Sequence, residues 1–209
     1  MQPPSQDPEA KRPYHHGDLR AALIETSFEI LAESGQADFS VAKVAKRLGV
    51  SSGAPYRHFR DRQELLAAVT EQASIEAVAQ ITDAVRAAGS DPCERMAAAA
   101  KAHAREAITR RGAIDAILTT SLRLEREGQL ASVSREMRES LQQLIQEASG
   151  SDPADRDVLF EQYLATVNGY AALFEAGYFP PAQHTSDDIA ARAADAVKAL
   201  VTGWKSARQ

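Results

Sequence analysis

Apolar residues recur along almost the whole chain at intervals of three and four, the period of a helix rather than a strand. Leu19, Leu23, Ile24, Ile30 and Leu31 share one side of a first helix, which Gly17 or Asp18 can cap and Gly35 ends. Ser40 stands as N-cap of a shorter helix through Leu48, with Val41, Val44, Ala45 and Leu48 as its apolar face. Lys43 occupies the place where a glutamate would complete a capping box, so only half of that motif is present. Gly49 then supplies a residue able to take positive φ, and Val50 plugs the turn.

The next stretch, SSGAPYRHF, concentrates helix breakers. Proline is harmless only within the first helical turn, where its missing N–H has no intrahelical partner. A start at Ser52 puts Pro55 there and predicts a short helix ending near Phe59, giving helix, tight turn, helix. Asp61 reads as the N-cap of a long fourth helix, with Glu64 placed to complete a capping box.

Beyond residue 70 further helix-length segments are broken at AAGSDP, RRG, EREGQ, GSDPAD and GYFPPAQHTSDD, and no internal repeat has a fixed period. After Pro153, Leu159, Tyr163, Val167, Tyr170 and Phe174 form one stripe, while Ala165, Gly169, Ala172 and Ala176 occupy the other side. The last helix aligns Ile189, Ala193, Ala196, Val197, Leu200 and Trp204. Large residues suit the subunit's own core, and small ones allow another helix to come close. The two helices therefore predict a homodimer interface of two helices per subunit, through Ala165, Gly169, Ala172, Ala176, Ala193, Val197, Leu200 and Trp204. The alternative is that Gly169 and the alanines pack within one subunit.

Composition narrows the class. Abundant alanine and 6% aromatic residues favour helices packed through small side chains, so the expected fold is all-α. A single cysteine, Cys93, excludes an internal disulfide and suits a reducing cytoplasm. No Cys/His spacing suggests zinc, no phosphate-cradling glycine motif or nucleophile elbow appears, and the adjacent His15 and His16 lack a third ligand nearby. We therefore expect no metal, no cofactor and no catalytic residues. The opening MQPPSQDPEAKRP is polar and proline-rich without a signal peptide's apolar core, and no apolar run approaches membrane-spanning length. Residues 1–13 are expected to be a mobile arm.

A net charge of −5 argues against a nucleic-acid partner until its distribution is considered. Residues 40–62 hold Lys43, Lys46, Arg47, Arg57, Arg60 and Arg62 against Asp61 alone. A stubby helix with small residues at its first turn fits a major groove about 12 Å wide, while Tyr56, His58, Arg60 and Arg62 reach flanking phosphates. Helix N-termini add to the attraction.

The pieces HHGDLR, FSVAKVAKRLGVS and YRHF, the last followed by a basic residue and EL, occur in order and spacing. With them, residues 14–69 resemble the DNA-binding domain of the TetR (tetracycline repressor-like) family of bacterial transcriptional regulators. The resemblance implies a three-helix helix-turn-helix domain over residues 14–62 and a larger ligand-binding and dimerisation domain over 63–209. It implies that Ser40 bonds a phosphate as well as capping its helix, and that Tyr56 and His58 contact the backbone. The family's usual lysine is here Arg62, whose planar fork also neutralises phosphate. Ala54 and Pro55 stand where many relatives have threonine and leucine. Ala54 can touch only a thymine methyl, which moves direct readout toward Ser52 and Arg57, beside Ser51 and Gly53.

The same resemblance implies a repressor released from a palindromic operator on double-stranded DNA by an unidentified small-molecule effector, with the fourth helix as lever. Met96, His103, Ile117, Phe160, Leu164 and Asn168 are candidate effector residues, although residues of these types at helical spacing are more often structural; Leu118 and Phe174 share that status. Two alternatives stand beside this reading: a DNA-binding homodimer without an effector, regulated by a protein partner or by abundance, and a sequence-independent architectural binder.

Overall fold

The computed structural model describes residues 19–35, 37–109, 129–180 and 183–206. All regular structure among them is helical: α1 Leu19–Ser34, α2 Val41–Leu48, a single 3-10 turn Pro55–Arg57, α3 Arg62–Ala87, α4 Pro92–Thr109, α5 Gln129–Ser149, α6 Pro153–Glu175 and α7 Ser186–Ser206. The arm over residues 1–13, the caps Gly17 and Asp18, and the effector candidates Ile117 and Leu118 lie outside the described residues.

Local signals place the first elements. Gly35 closes α1 in the left-handed region at φ +69°, its N–H bonding Leu31 O at 2.9 Å. Ser40 is extended and its hydroxyl oxygen accepts from Lys43 N at 3.2 Å, the bond that starts α2. Gly49 ends α2 at φ +69°: Gly49 N–H bonds Lys46 O, and Val50 N–H reaches back to Ala45 O at 3.0 Å, a Schellman closure.

Among the described residues the interior holds two large clusters and a smaller third of Ala107, Ile108, Ala171, Phe179 and Ile189. Leu23, Ile30, Leu31, Phe39, Val44, Phe59, Leu65 and Val69 join α1, α2 and the start of α3. A second core is built by α4 through α7 with Ile81 of α3. Since α3 belongs to both, the division expected after Arg62 falls inside a helix. Its 26 residues make a rod about 39 Å long at 1.5 Å per residue.

α4 is the centre of the larger body, packing chiefly on α7 and α3 and also on α5 and α6. Ala99, Ala100 and Ala104 of α4 and Ala190 and Ala193 of α7 are fully buried. Small side chains on both partners permit a close crossing, because the separation of packed helices follows the residues at the contact. Leu159, Tyr163 and Val167 of α6 face this core, as their spacing predicts. Ala193 and Val197, expected at a dimer interface, are also fully buried here, so they fill the subunit's own interior. A helix with one large-residue and one small-residue face does not reveal from its sequence which face its own subunit covers.

Candidate nucleic-acid interface

The expected short helix over Ser52–Phe59 is replaced by one tight turn. Ala54 N–H bonds Ser51 O, Arg57 N–H bonds Ala54 O and His58 N–H bonds Pro55 O, all three-residue closures, while Phe59 N–H to Pro55 O is the one four-residue closure among them. Gly53 carries a large entropic cost of ordering, and a segment opening at Pro55 has too few residues before the α3 cap at Asp61 to offset the cost of nucleating an α-helix. Pro55 instead opens the 3-10 turn, the position a proline suits.

This turn is anchored from beneath. Pro55 is buried and Phe59 is 3% exposed in the N-terminal core. The Arg20 guanidinium lies 5.2 Å from the Phe59 ring centre, tying α1 to the end of the turn. Of the site residues expected from sequence, Ser51, Ser52, Gly53, Tyr56, Arg57 and His58 are exposed, with Ala54 half-buried. Tyr56 is 56% exposed, a large ring left in solvent by the turn that buries its neighbours.

The structure sorts the basic residues of this region. Arg47 forks onto Glu33, Nη1 to Oε1 at 2.9 Å and Nη2 to Oε2 at 2.6 Å, which ties α2 to α1. That guanidinium holds the Glu33 carboxyl below its ordinary value. Lys43 donates to Asp38 O at 2.7 Å. Arg60 donates through both its backbone N–H and its Nε to Glu64 Oε2, at 2.6 and 3.1 Å. Glu64 thus completes the start of α3 in a modified form: its N–H bonds Asp61 Oδ1 at 2.9 Å, but its carboxylate accepts from Arg60 rather than Asp61. Those bonds from Arg60 hold the Glu64 carboxyl below its ordinary value.

Arg62 departs most from its expected role. Its Nε donates to Phe39 O at 3.2 Å and its guanidinium lies 5.4 Å from the Phe39 ring centre, so the half-buried side chain turns inward, toward the loop before α2. The side chains of Lys46 and Arg57 hold no hydrogen bond or ion pair among the described residues, and both are exposed. The sequence assigns Arg57 to base readout and Arg60 and Arg62 to phosphates, and counts Lys43, Lys46 and Arg47 only toward the local charge; no pattern in it shows that Arg47 and Arg62 have partners within the protein. Their partners lie 14 and 23 residues away.

In the larger body the effector candidates split. Met96 and Phe160 are buried in the main core and Leu164 packs against it. His103 Nδ1 lies 3.1 Å from Tyr163 Oη, with Phe160 stacked on Tyr163 at 6.3 Å between ring centres. Burial pushes His103 down to about 4 and pushes the Tyr163 phenol up, so both are neutral near pH 7. Tyr163 read from sequence as part of an apolar stripe; its hydroxyl has a role only because α6 places it opposite His103. Asn168 does not join them, since its Nδ2 donates to Leu164 O of its own helix at 2.8 Å. Separately, a cleft of about 530 Å³ lies between α1, α3 and α4, with Ile24 and Phe28 among its walls and Glu25, Glu29, Glu76 and Glu106 around it.

Among the described residues no three His, Cys, Asp or Glu side chains gather as a metal would require, and no helix is long and apolar enough to cross a membrane.

A helix, a glycine-closed turn and an exposed basic tip, carried on an all-helical body, define a helix-turn-helix protein. Residues 23–69 match the profile of bacterial regulatory proteins of the tetR family. Over 79 residues the chain is 35% identical to the HTH-type transcriptional regulator BetI of Stenotrophomonas maltophilia (strain R551-3), a match covering 38% of this chain and 40% of that regulator. Among solved structures, a protein of unknown function from Rhodococcus sp. RHA1 is 28% identical, with a TM-score of 0.73 over 90% of this chain and 97% of that one. The TetR family transcriptional regulator PfmR from Thermus thermophilus shares the fold, at 20% identity and a TM-score of 0.62 over 84% of this chain and 96% of that one. The likeness to the tetR family thus lies in the N-terminal helix-turn-helix unit, and the chain spans about two fifths of the length of the curated regulator it matches.

Proposed function

We propose that the chain is a cytoplasmic transcriptional repressor that binds a palindromic operator as a homodimer and leaves it when a small molecule enters the larger body. The observation that carries this reading is the exposed tip Ser51–Gly53 with Tyr56, Arg57 and His58, held on buried Pro55 and Phe59. Small residues at the tip let the backbone approach base edges, and Arg57, with no protein partner among the described residues, is the side chain suited to a guanine. Tyr56, His58 and Lys46 flank it as backbone contacts. The Ser40 hydroxyl oxygen accepts from Lys43 N, which leaves its proton to donate to a phosphate at the start of α2.

A dimer is supported by what α6 leaves uncovered. Ala165, Ala172 and Ala176 are exposed, Val158 and Leu173 are 44% and 43% exposed, and nothing lies within 4 Å of a Cβ built on Gly169. Leu200 and Trp204 of α7 are half-buried, which suits them to the edge of the same contact. Two recognition turns set roughly 34–36 Å apart, or at a multiple of one DNA turn, then meet one face of a symmetric site.

The effector reading rests on the His103–Tyr163 pair, a polar point in a core otherwise built of alanine and large apolar residues. The bonded amide of Asn168 and the complete burial of Met96 favour instead the second reading, a DNA-binding dimer without an effector. Selection of bound fragments from random DNA tests the main proposal. A recovered palindrome supports it, whereas binding that follows salt but not sequence would make the protein an architectural binder.

A further inference from the structure

The residue expected to grip a phosphate at the start of α3 is built into the protein instead. Arg62 is the first residue of the long helix shared by both cores, and its Nε donates to the carbonyl of Phe39 at 3.2 Å. Its guanidinium also lies 5.4 Å from the Phe39 ring centre. Phe39 is 4% exposed and immediately precedes Ser40, the N-cap of α2. Arg20 likewise approaches the ring of Phe59 at 5.2 Å, where the turn ends. Each arginine thus joins an end of one element to an aromatic residue flanking another.

We infer that Arg62 is a positioning residue: through the Phe39 carbonyl and ring it sets the angle between α3 and the start of α2, and so fixes where Ser40 and the recognition turn stand relative to DNA. The carbonyl of Phe39 and its ring constrain the fork at two points, which holds direction as well as distance. Beside the apolar contacts of Leu65, Leu66 and Val69, Arg62 is a polar point through which a tilt of α3 reaches the start of α2. The inference rests on the DNA-binding reading above and assigns a different role within it.

The two roles predict different salt behaviour. A phosphate contact contributes to the slope of log affinity against log salt, whereas a brace contributes to the discrimination between sequences. Two duplexes of equal length serve as probes: one recovered by selection from random DNA with the unaltered protein, and a scrambled version of it. For Arg62→Ala we expect the salt slope on scrambled DNA to stay that of the unaltered protein, while the ratio of selected to scrambled affinity falls about tenfold. Phe39→Leu, which removes the ring but keeps the backbone carbonyl and every charge, should lower the ratio by a smaller factor, and the double variant should be little worse than Arg62→Ala alone. Thermal melting of each variant, run in parallel, identifies any that fails to fold, and the two single substitutions test the brace independently.

The inference is overturned if Arg62→Ala flattens the slope by about one per subunit and leaves the ratio intact, the signature of a lost phosphate contact. It is equally overturned if a folded Phe39→Leu or Arg62→Ala protein discriminates as well as the original. If the unaltered protein binds neither duplex, the DNA-binding reading itself fails, an outcome separate from both.

Discussion

The N-terminal unit and the helical body are both made of helices, but they are specified in different ways. In the first, short elements are held by residues with individual duties: Ser40 and Asp61 cap, Gly49 bends, Pro55 and Phe59 anchor, and Arg47 forks across to Glu33. In the second, α4 and α7 meet through alanines that differ little from one another, and precision comes from how closely two backbones approach. A unit that must present a few side chains at fixed positions needs local pins. A body that need only hold those pins together can rely on area and shape.

The contrast meets its most severe test at the α6 face proposed to meet a second copy. Gly169→Lys has room on the free subunit, since nothing lies within 4 Å of its Cβ position, and glycine is itself a poor helix former. The expected outcome is a folded monomer by sedimentation whose operator affinity falls more than about 100-fold, because each half-site must then be bound separately. A dimer of unchanged affinity would move the interface elsewhere.

A smaller effect is expected at the tip. Arg57→Ala should cost about 1–3 kcal/mol per half-site and relax preference at one operator position, measured by competition between single-base variants of the selected duplex. Uniform weakening across those variants would place Arg57 on the backbone instead.

Next comes the pH response of the body. His103 titrates near 4 in the folded protein against about 6.5 when unfolded, so the unfolded chain binds more protons between those values. Its contribution to stability is therefore complete above pH 7 and is lost as pH falls from about 6.5 toward 4. Comparing urea unfolding of the parent with His103→Gln at pH 7 and pH 4.5 should show the parent losing about 2 kcal/mol more than the variant. Parallel curves would mean that His103 is better solvated than its surroundings indicate.

The smallest effect tests a pin of the N-terminal unit. Ser40→Ala removes the cap on Lys43 N and should lower stability by about 1 kcal/mol, read from the unfolding midpoint. A DNA affinity loss well beyond that accounted for by unfolding would reveal the phosphate contact proposed for the same hydroxyl.

Legibility followed the same divide. The caps at Ser40 and Asp61, the glycine closures at residues 35 and 49, and the inward stripe of α6 were readable because each depends on neighbours within a turn or on a repeating interval. The exposed turn between α2 and α3 was readable in place but not in form. Gly53 and Pro55 mark a helix start in sequence, but too few residues separate Pro55 from the next cap at Asp61 for an α-helix to propagate, and a single 3-10 turn results.

Residue order was enough to establish that the chain is helical, where its first elements begin and end, and that a basic, glycine-broken tip lies between two helices. These follow from periodicity and from bonds spanning only a few residues. Folding in three dimensions was needed to engage Arg47 and Arg62 with Glu33 and Phe39 while Lys46 and Arg57 stay open. It also turned Ala193 and Val197 inward, and brought Tyr163 to His103 across 60 residues of chain. A side chain's charge and size are written at its own position, but its partner is chosen by the packing of helices whose separation in sequence carries no local trace.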